Sequence, residues 1–522
     1  MARSATISTG NASRASRNVR FMRDEIKERL EEYKLIEDCI HGEVKIKKGR
    51  TKYLPQPDAQ NTSAENIARY DAYLVRAVFY NATRRTLAGL LGEIFAIDPV
   101  YKIPPQLQPT YEDATGGGVS AVQQAIVATH NVLAYSRAGL WVDFPQRPTV
   151  KNEETGEDED RPITIEEVES GNFYPLIYVY EPWRVINWRN ITRGSRVLLS
   201  LVVIEEDYEA KDDGFEIKTE KRWRVLRLDE RGEYSIEIWY KDAAEPQSRT
   251  YPTDSTGKRL NEIPFKFVGA RNNDANVDPP LLYDLASLNI AHYRNSADLE
   301  ESSFVVGQPT YYFTGLTERW VKDIIGSRVE TGARAAIPLP EKATAGILQP
   351  DPNTMAKDGM DQKEKQMVAL GAKLVENRSV QRTASEATMD QRTENSILAT
   401  AANNVSQGFE WAFEQAAMFA GGAETDIEFE LNTEFAIDKL APEDQAQIIA
   451  TWMAGGISFT EMRYLLRKAS IATETDAVAK AEIEKDQEKK LKADTEAKVA
   501  VVKAKPAGEP AAGGTTNPTG AT

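Results

Sequence analysis

The sequence predicts an α+β protein, on three observations. A stretch from about Phe173 to Phe267 is β-rich, while the segments before and after it keep helical spacing. The segment from Asp278 to about Asn377 reads as helix, small mixed module, helix. At 522 residues the chain exceeds what a single hydrophobic core supports, so several packed units are expected.

Taken in order, the first twenty residues are rich in Ser, Arg and Asn and are expected to be disordered. They are basic and polar without an apolar centre, so no secretory signal is read there. A charged helix follows over 21–40, with Lys27 and Glu31 one turn apart. YLPQPDAQ stops it. Thr62 and Glu65 then form a capping box at the head of one long helix, whose apolar positions are Ile67, Tyr70, Leu74, Val78, Leu87 and Leu91. The prolines of IDPVYKIPPQLQP predict an extended connector. Next come a turn at Gly116–Gly118, a helix stopped at Gly139, and a buried strand from Leu140 to Phe144. The run Asn152–Arg161 reads as an acidic surface loop.

The β body contains YPLIYVYEPWRVINW, RVLLSLVVIEE, KRWRVLRLD and YSIEIWYKD, separated by the charged turns AKDDG and DERGE. That pattern predicts an antiparallel sheet with one solvated face. After it, Asp278 is placed as helix cap with Pro279 in the first turn. Leu281, Leu285 and Leu288 share one face of this helix, and Asn289, Arg294, Asp298 and Glu301 lie elsewhere. The module then reads as a strand at Pro309–Thr314, a helix at Thr317–Ile325, and strands near Ala335–Ile337 and Ile347–Leu348. Some forty residues bury little core alone, which favours a symmetric ring in which each copy completes the next.

Catalytic and metal chemistry find no support. His41, His130 and His292 lie far apart, no H-E-x-x-H or C-x-x-C occurs, and His292 sits in an apolar helical pattern as a packed side chain. The lone Cys39 excludes an intramolecular disulfide and fits a reducing compartment. The Gly116–Gly118 triplet lacks the Lys-Ser/Thr pair of a phosphate loop. The pair Gly257–Lys258 is followed by Arg259 and has Pro252 where the first glycine should stand, so an ATPase is not expected. The formal net charge of −16 gives no overall basic footprint for gripping nucleic acid. No apolar run reaches the 18 residues needed to span a bilayer, so no membrane partner is expected and the product is read as soluble and intracellular when made.

Five segments resemble phage portal proteins, in particular a divergent phage family long of unknown function. They are ARYDAYLVRAVFYNATRRTLAGLLGEIFAIDP, YSRAGLWVDFP, LASLNIAHYRNSADLEESSFVVGQPTYYFTG, RTASEATMDQRTENSILATAANNV and AGGISFTEMRYLLRK, and they occur in that family's order. The resemblance implies a portal fold: a helical stem, a small α/β clip, a β-rich wing and a helical crown, assembled as a ring. On it, 1–20 precedes a wing at 21–277. The stem and clip follow as 278–307 (first stem helix), 308–350 (clip) and 351–376 (second stem helix). A tunnel loop at 377–385 leads to a long wing helix and returning strand at 386–440. The crown is 441–472, and 473–522 is a charged helical extension and tail.

The resemblance further implies no catalytic or metal site, no cofactor and no enzyme activity. Lys373, Arg378 and Arg382 are the DNA-facing candidates, and Arg319, Lys322, Arg328 and Arg334 the clip candidates for partner docking. Expected partners are further copies of the chain in a dodecamer, double-stranded DNA in the channel, the terminase large subunit, major capsid and scaffolding proteins, and head-completion or tail adaptor proteins. The expected location is the capsid vertex of the virion, with host cytoplasm during assembly. The competing readings are another virion protein, such as a minor capsid or adaptor subunit, and a packaging nuclease.

Overall fold

In a computed structural model of the protein, the residues described are 18–145, 149–151, 158–160, 167, 171, 173–241, 243–254, 256–308, 310–325, 339–348, 354–371, 384–420, 427–433, 442–454, 456–468, 479, 480 and 485. The chain divides into two compact units, Met1–Thr433 and Glu434–Thr522. The first unit is α+β, as the sequence predicts.

It opens with helix α1 (Asp24–His41) and a short α2 (Glu43–Lys48). Lys27 pairs with Asp24 at 2.9 Å and Glu31 with Lys52 at 3.4 Å, so the expected Lys27–Glu31 pair gives way to nearer partners. The single long helix expected after Thr62 is two helices, α3 (Ala64–Arg76) and α4 (Ala82–Ile94). Ser63, not Thr62, caps α3 by accepting from Asn66 N at 3.3 Å. The break at 77–81 is held by a distant helix, described below, and Asn81 caps α4 by accepting from Arg84 N at 2.9 Å.

The connector is less extended than its prolines suggest. It contains strand β1 (Val100–Lys102) and a short helix α5 (Gln108–Glu112) with proline in its first turn. Helix α6 (Ala121–Tyr135) starts from a Ser120–Gln123 capping box and ends at Ser136, whose φ of 62° is left-handed. Gly139 therefore does not stop it. Gly139 lies inside strand β2 (Arg137–Asp143), where a Cβ would stand 2.6 Å from Phe265 Cζ. Strands β3 (Thr149–Lys151) and β4 (Asp158–Asp160) pair across the acidic run, so its described ends are a ribbon rather than a loop, and 152–157 lie outside the described residues.

The β body forms as expected, antiparallel throughout. A three-stranded sheet orders as β11-β2-β5, with β5 (Leu176–Tyr180) and β11 (Phe265–Gly269) on either side of β2. A five-stranded sheet orders as β10-β9-β8-β7-β6. Its strands are β6 (Val185–Arg193), β7 (Arg196–Asp212), β8 (Ile217–Leu228), β9 (Tyr234–Tyr240) and β10 (Ser248–Thr250). The solvated face expected for it is a correction. Val202, Ile204, Leu226 and Ile236 bury on one side with Trp141 and Phe265. Val203, Trp223, Val225 and Trp239 bury on the other, where Val19 and Met22 pack over them. The alternation is the period-2 pleat, with both faces buried around these residues while 189–197 are exposed.

Helix α7 (Tyr283–Val306) starts five residues after Asp278 and has no side-chain cap. Asp278 instead lies 3.8 Å from Arg271, and Pro279–Pro280 hold the chain extended while Ser136 Oγ bonds Pro279 O and Leu281 N. It has 24 residues. Asn289, expected on a water-facing side, is fully buried, and Leu281 lies outside the helix and is exposed. Asn289 Oδ1 accepts from Thr83 N at 3.2 Å and Thr83 Oγ1 at 3.0 Å, while its Nδ2 donates to Tyr80 O at 2.6 Å. One face further along, Ser296 Oγ accepts from Val78 N at 3.0 Å and donates to Val78 O at 2.7 Å. These two side chains take up the backbone groups that a continuous α3–α4 helix would have paired internally.

After α7 come strand β12 (Thr310–Thr314), a helical turn α8 (Glu318–Trp320) continuing as a wider turn through Val321–Ile325, and strand β13 (Thr344–Leu348). The strand expected at Ala335–Ile337 lies outside the described residues. Helix α9 (Met355–Ala369) and the 37-residue α10 (Ala384–Ala420) follow. Strand β14 (Glu428–Glu430), expected to return to the wing sheet, pairs with β1 in a two-stranded sheet of its own. In the second unit, α11 (Pro442–Met453) and α12 (Phe459–Lys468) form a helical hairpin. Ser458 and Glu461 form a capping box in both directions, at 2.7 and 3.1 Å. Of the expected C-terminal tail, 479, 480 and 485 alone fall among the described residues. Among the described residues no helix is long and apolar enough to cross a membrane.

Two predictions follow from this packing. Asn289→Leu strands the Thr83 amide, costing about 1–3 kcal/mol, while the Tyr80 carbonyl keeps its bond from Ala82 N, and urea unfolding should show a lower midpoint with unchanged slope. The second concerns Asp143, at the end of β2. Burial pushes its carboxyl up to about 6, against the opposing pull of Arg224. The folded state thus holds this proton more tightly than the unfolded chain, so its contribution to stability falls as pH rises from about 4 to 6. Asp143→Asn should therefore stabilise the protein at pH 7 by up to about 3 kcal/mol, a gain absent below pH 4, measured by denaturation at both pH values.

Candidate functional site

The helix–module–helix unit is an antiparallel pair of helices carrying a β-ribbon at one end. His292 Nε2 of α7 lies 3.2 Å from Glu364 Oε1 of α9, while Asn295 lies over Gly359, so the two chains run in opposite directions. A Cβ at 359 would stand 2.4 Å from Asn295 Nδ2, so a side chain there requires that amide to swing aside. On the other flank α7 packs against α1, α3 and α4. Tyr73 donates to Asp298 at 2.7 Å and Arg76 pairs with Glu301, so both carboxylates expected to face water are tied to α3.

The ribbon pairs Thr310 with Leu348 through Thr314 with Thr344. Thr314 and Thr344 hydroxyls bond at 2.6 Å, and the Tyr312 ring covers Gly346 opposite it. Its apolar side chains find no core: Tyr311, Tyr312, Ile347 and Leu348 are all exposed. A two-stranded ribbon of this kind is marginal alone in water.

Of the clip candidates, Arg319 is on α8, exposed, with Nε 3.4 Å from Asp323 one turn on. Lys322 is exposed on the next turn. Arg328, Arg334, Lys373, Arg378 and Arg382 lie outside the described residues. Two cations outside the sequence-based candidates, Lys357 and Lys365, are exposed on α9 and flank Asp358, Asp361 and Glu364. The alternation of sign along that helix was the available signal. Among the described residues no group of three or more His, Cys, Asp or Glu could hold a metal ion. His292 is packed, as its apolar setting implied, 2% exposed.

A family model described as a domain of unknown function (DUF4055) matches residues 280–420, the span from the head of α7 to the end of α10. No curated protein matches the chain. Among solved structures, a chain of the virion of a native gene transfer agent particle is similar, with 11% sequence identity and a TM-score of 0.41. The match covers 76% of this chain and 92% of that one.

The tight contact between α7 and α9 gives a further prediction. Gly359→Leu should cost about 1–3 kcal/mol through overpacking and loosen the helix pair. Limited trypsin digestion reads this as faster cleavage after Lys363 and Lys365, and an unchanged digestion rate would show that the pair tolerates the added bulk.

Proposed function

We propose that this chain is the subunit of a phage portal, a ring at one capsid vertex through which double-stranded DNA is packaged, retained and ejected. The observation that carries the reading is the antiparallel helix pair α7–α9 with an unsupported ribbon at its end. Elements that lack a core in one copy gain one when neighbours stand around a closed ring. The five resembling segments and their order support the same reading.

The work is mechanical and electrostatic, with no catalytic step. Each copy contributes a formal charge of −16, so a ring repels phosphates and keeps the duplex from sticking. Basic side chains at defined heights then make weak, salt-sensitive contacts. Lys373, Arg378 and Arg382 are the candidates for those, joined by Lys357 and Lys365 of α9. The ribbon end, with Arg319, Lys322, Arg328 and Arg334, is the docking surface for the terminase large subunit during packaging and for head-completion or tail adaptor proteins afterwards. Major capsid and scaffolding proteins surround the β-rich body.

Mass photometry with negative-stain imaging of the purified protein tests this. The expected result is a ring of about twelve subunits with an open channel. A closed dimer without a channel would overturn the reading.

A further inference from the structure

The two sheets of the first unit share a core, and a set of charged side chains stands beside it. Trp141 and Asp143 lie two residues apart on β2, so both stand on the face turned to the five-stranded sheet. Trp141 Nε1 donates to Tyr234 Oη of β9 at 3.2 Å, and the Arg224 guanidinium of β8 lies 4.8 Å from the centre of the Trp141 ring. Arg224 is thereby brought to the strand that carries Asp143. Its bonds go elsewhere. Glu206 of β7 accepts from Arg224 Nε at 2.7 Å and Nη2 at 3.1 Å, from Arg222 Nε at 3.0 Å and from Tyr180 Oη at 2.9 Å. Four donors satisfy that carboxylate. Asp143 accepts from the Phe144 amide at 3.0 Å, and among the described residues no cation bonds to it.

The groups that face Asp143 come from each strand packed over it: Tyr178 and Tyr180 of β5, Glu206 of β7, Arg224 of β8 and Tyr234 of β9. Arg222 stands behind Glu206, and Asp113 beyond Tyr178. Helices α6 and α10 also pack against β2. There α10 meets Leu140 on the opposite face, where Glu410 and Glu414 face Lys266, and His130 of α6 faces Asn131 and Tyr135. Two carboxyls thus surround the one guanidinium of Arg224. Like charges in such a site raise each other's affinity for a proton, and the proton goes to the group with fewer bonds. Against the cost of burial, the bonds from Arg224 hold the Glu206 carboxyl below its usual range. Asp143 has no such bonds: burial pushes it up to about 6 against the pull of Arg224, and Glu206 adds to the push.

We propose that Asp143 is a pH-sensitive latch between the two sheets, closed while its carboxyl carries a proton and loosened when that proton leaves to water. A neutral Asp143 needs no cation and leaves Arg224 to Glu206. Once ionised, it is a second carboxylate beside Glu206, so Arg224 must be shared or water admitted to solvate the new charge. Either response disturbs the contacts by which β2 and β5 meet the larger sheet, the Arg224 guanidinium over Trp141 and the Tyr180–Glu206 bond. The next residue, Phe144, packs on Phe419 of α10 with ring centres 5.6 Å apart, so a change at Asp143 also reaches that helix. The latch lies within one copy of the chain and does not depend on the ring reading.

Hydrogen exchange of the full chain, read by mass spectrometry from about pH 4.5 to about pH 7.5 and corrected for the intrinsic rate, tests it. The amides of 140–144 and 176–180 should open roughly tenfold more often, or more, at the upper end. The rise should level off near pH 6, where the folded carboxyl has lost its proton. Asp143→Asn should abolish the rise and leave both strands protected throughout. Glu206→Gln should keep the rise but level it off at lower pH, because the rival charge is gone and Arg224 is released to Asp143. A merely structural role for Glu206 would instead change protection equally at every pH and leave the levelling point in place, which overturns the sharing of Arg224. Equal opening across the range overturns the latch. So does a rise that persists in Asp143→Asn, which assigns it to another group such as His130. Asp143→Asn keeps the shape of the side chain and removes its charge, so it decides the question alone if Glu206→Gln does not fold.

Discussion

Helix α7 holds two backbone-binding side chains, Asn289 and Ser296, and much of the first unit is arranged around what they bind. Between them they take up the amides or carbonyls of Val78, Tyr80 and Thr83. Thr83 is buried, and a buried polar group without a partner costs more than a hydrogen bond is worth in water. The bonds therefore do two things at once. They let the chain leave the helical path between α3 and α4, and they fix the axial position of α7 against both halves. Cys39 Sγ, 3.8 Å from Ala286 O, and the Tyr293 ring against Phe79 complete a contact that leaves α7 little freedom to slide. The ribbon at the far end of α7 inherits that placement.

Much of the fold was legible in the sequence because it depends on local pattern. The strands β6 to β9 follow from their aromatic and β-branched runs, and the AKDDG and DERGE segments turn because Asp213 and Asp229 accept from amides two to four residues on. The Ser458–Glu461 box is local in the same way. What escaped was set at long range. Helical spacing across Tyr70, Leu74, Val78 and Leu87 is compatible with one helix, and the break is dictated by partners 206 to 218 residues away. Gly139 looked like a stop because glycine ends helices, whereas its position is fixed by Phe265 from another strand. The covered second face of the large sheet depends on Val19 and Met22, which precede it by some 170 residues and carry no β signal.

The candidate site divides along the same line. Strands at Pro309–Thr314 and near Ile347–Leu348 were visible from propensity alone, and β12 and β13 form there as partners. The tilt and spacing of the helices were not, because they rest on a missing side chain at Gly359 and on a buried His292 facing an exposed Glu364. The cations on α9 were overlooked for a different reason. A sequence places Lys357 and Lys365 among neighbouring carboxylates, and their common exposure emerges when the buried stripe through Met367 is known.

Two two-stranded elements of the first unit bear on assembly. Both the ribbon and the far end of the β7–β8 pair are two-stranded, carry exposed aromatics, and gain nothing from the cores nearby. In a monomer each would expose apolar area at a cost that scales with that area, with no compensating contact. Two unit charges about 4 Å apart in water are worth ~1 kcal/mol and are screened beyond ~8 Å at physiological salt, so an acidic chain repels its copies only weakly at range. On the proposed reading, contacts between copies then rest on short-ranged apolar burial at their centres, and the acidity of the chain is tolerated because charge at their rims is screened.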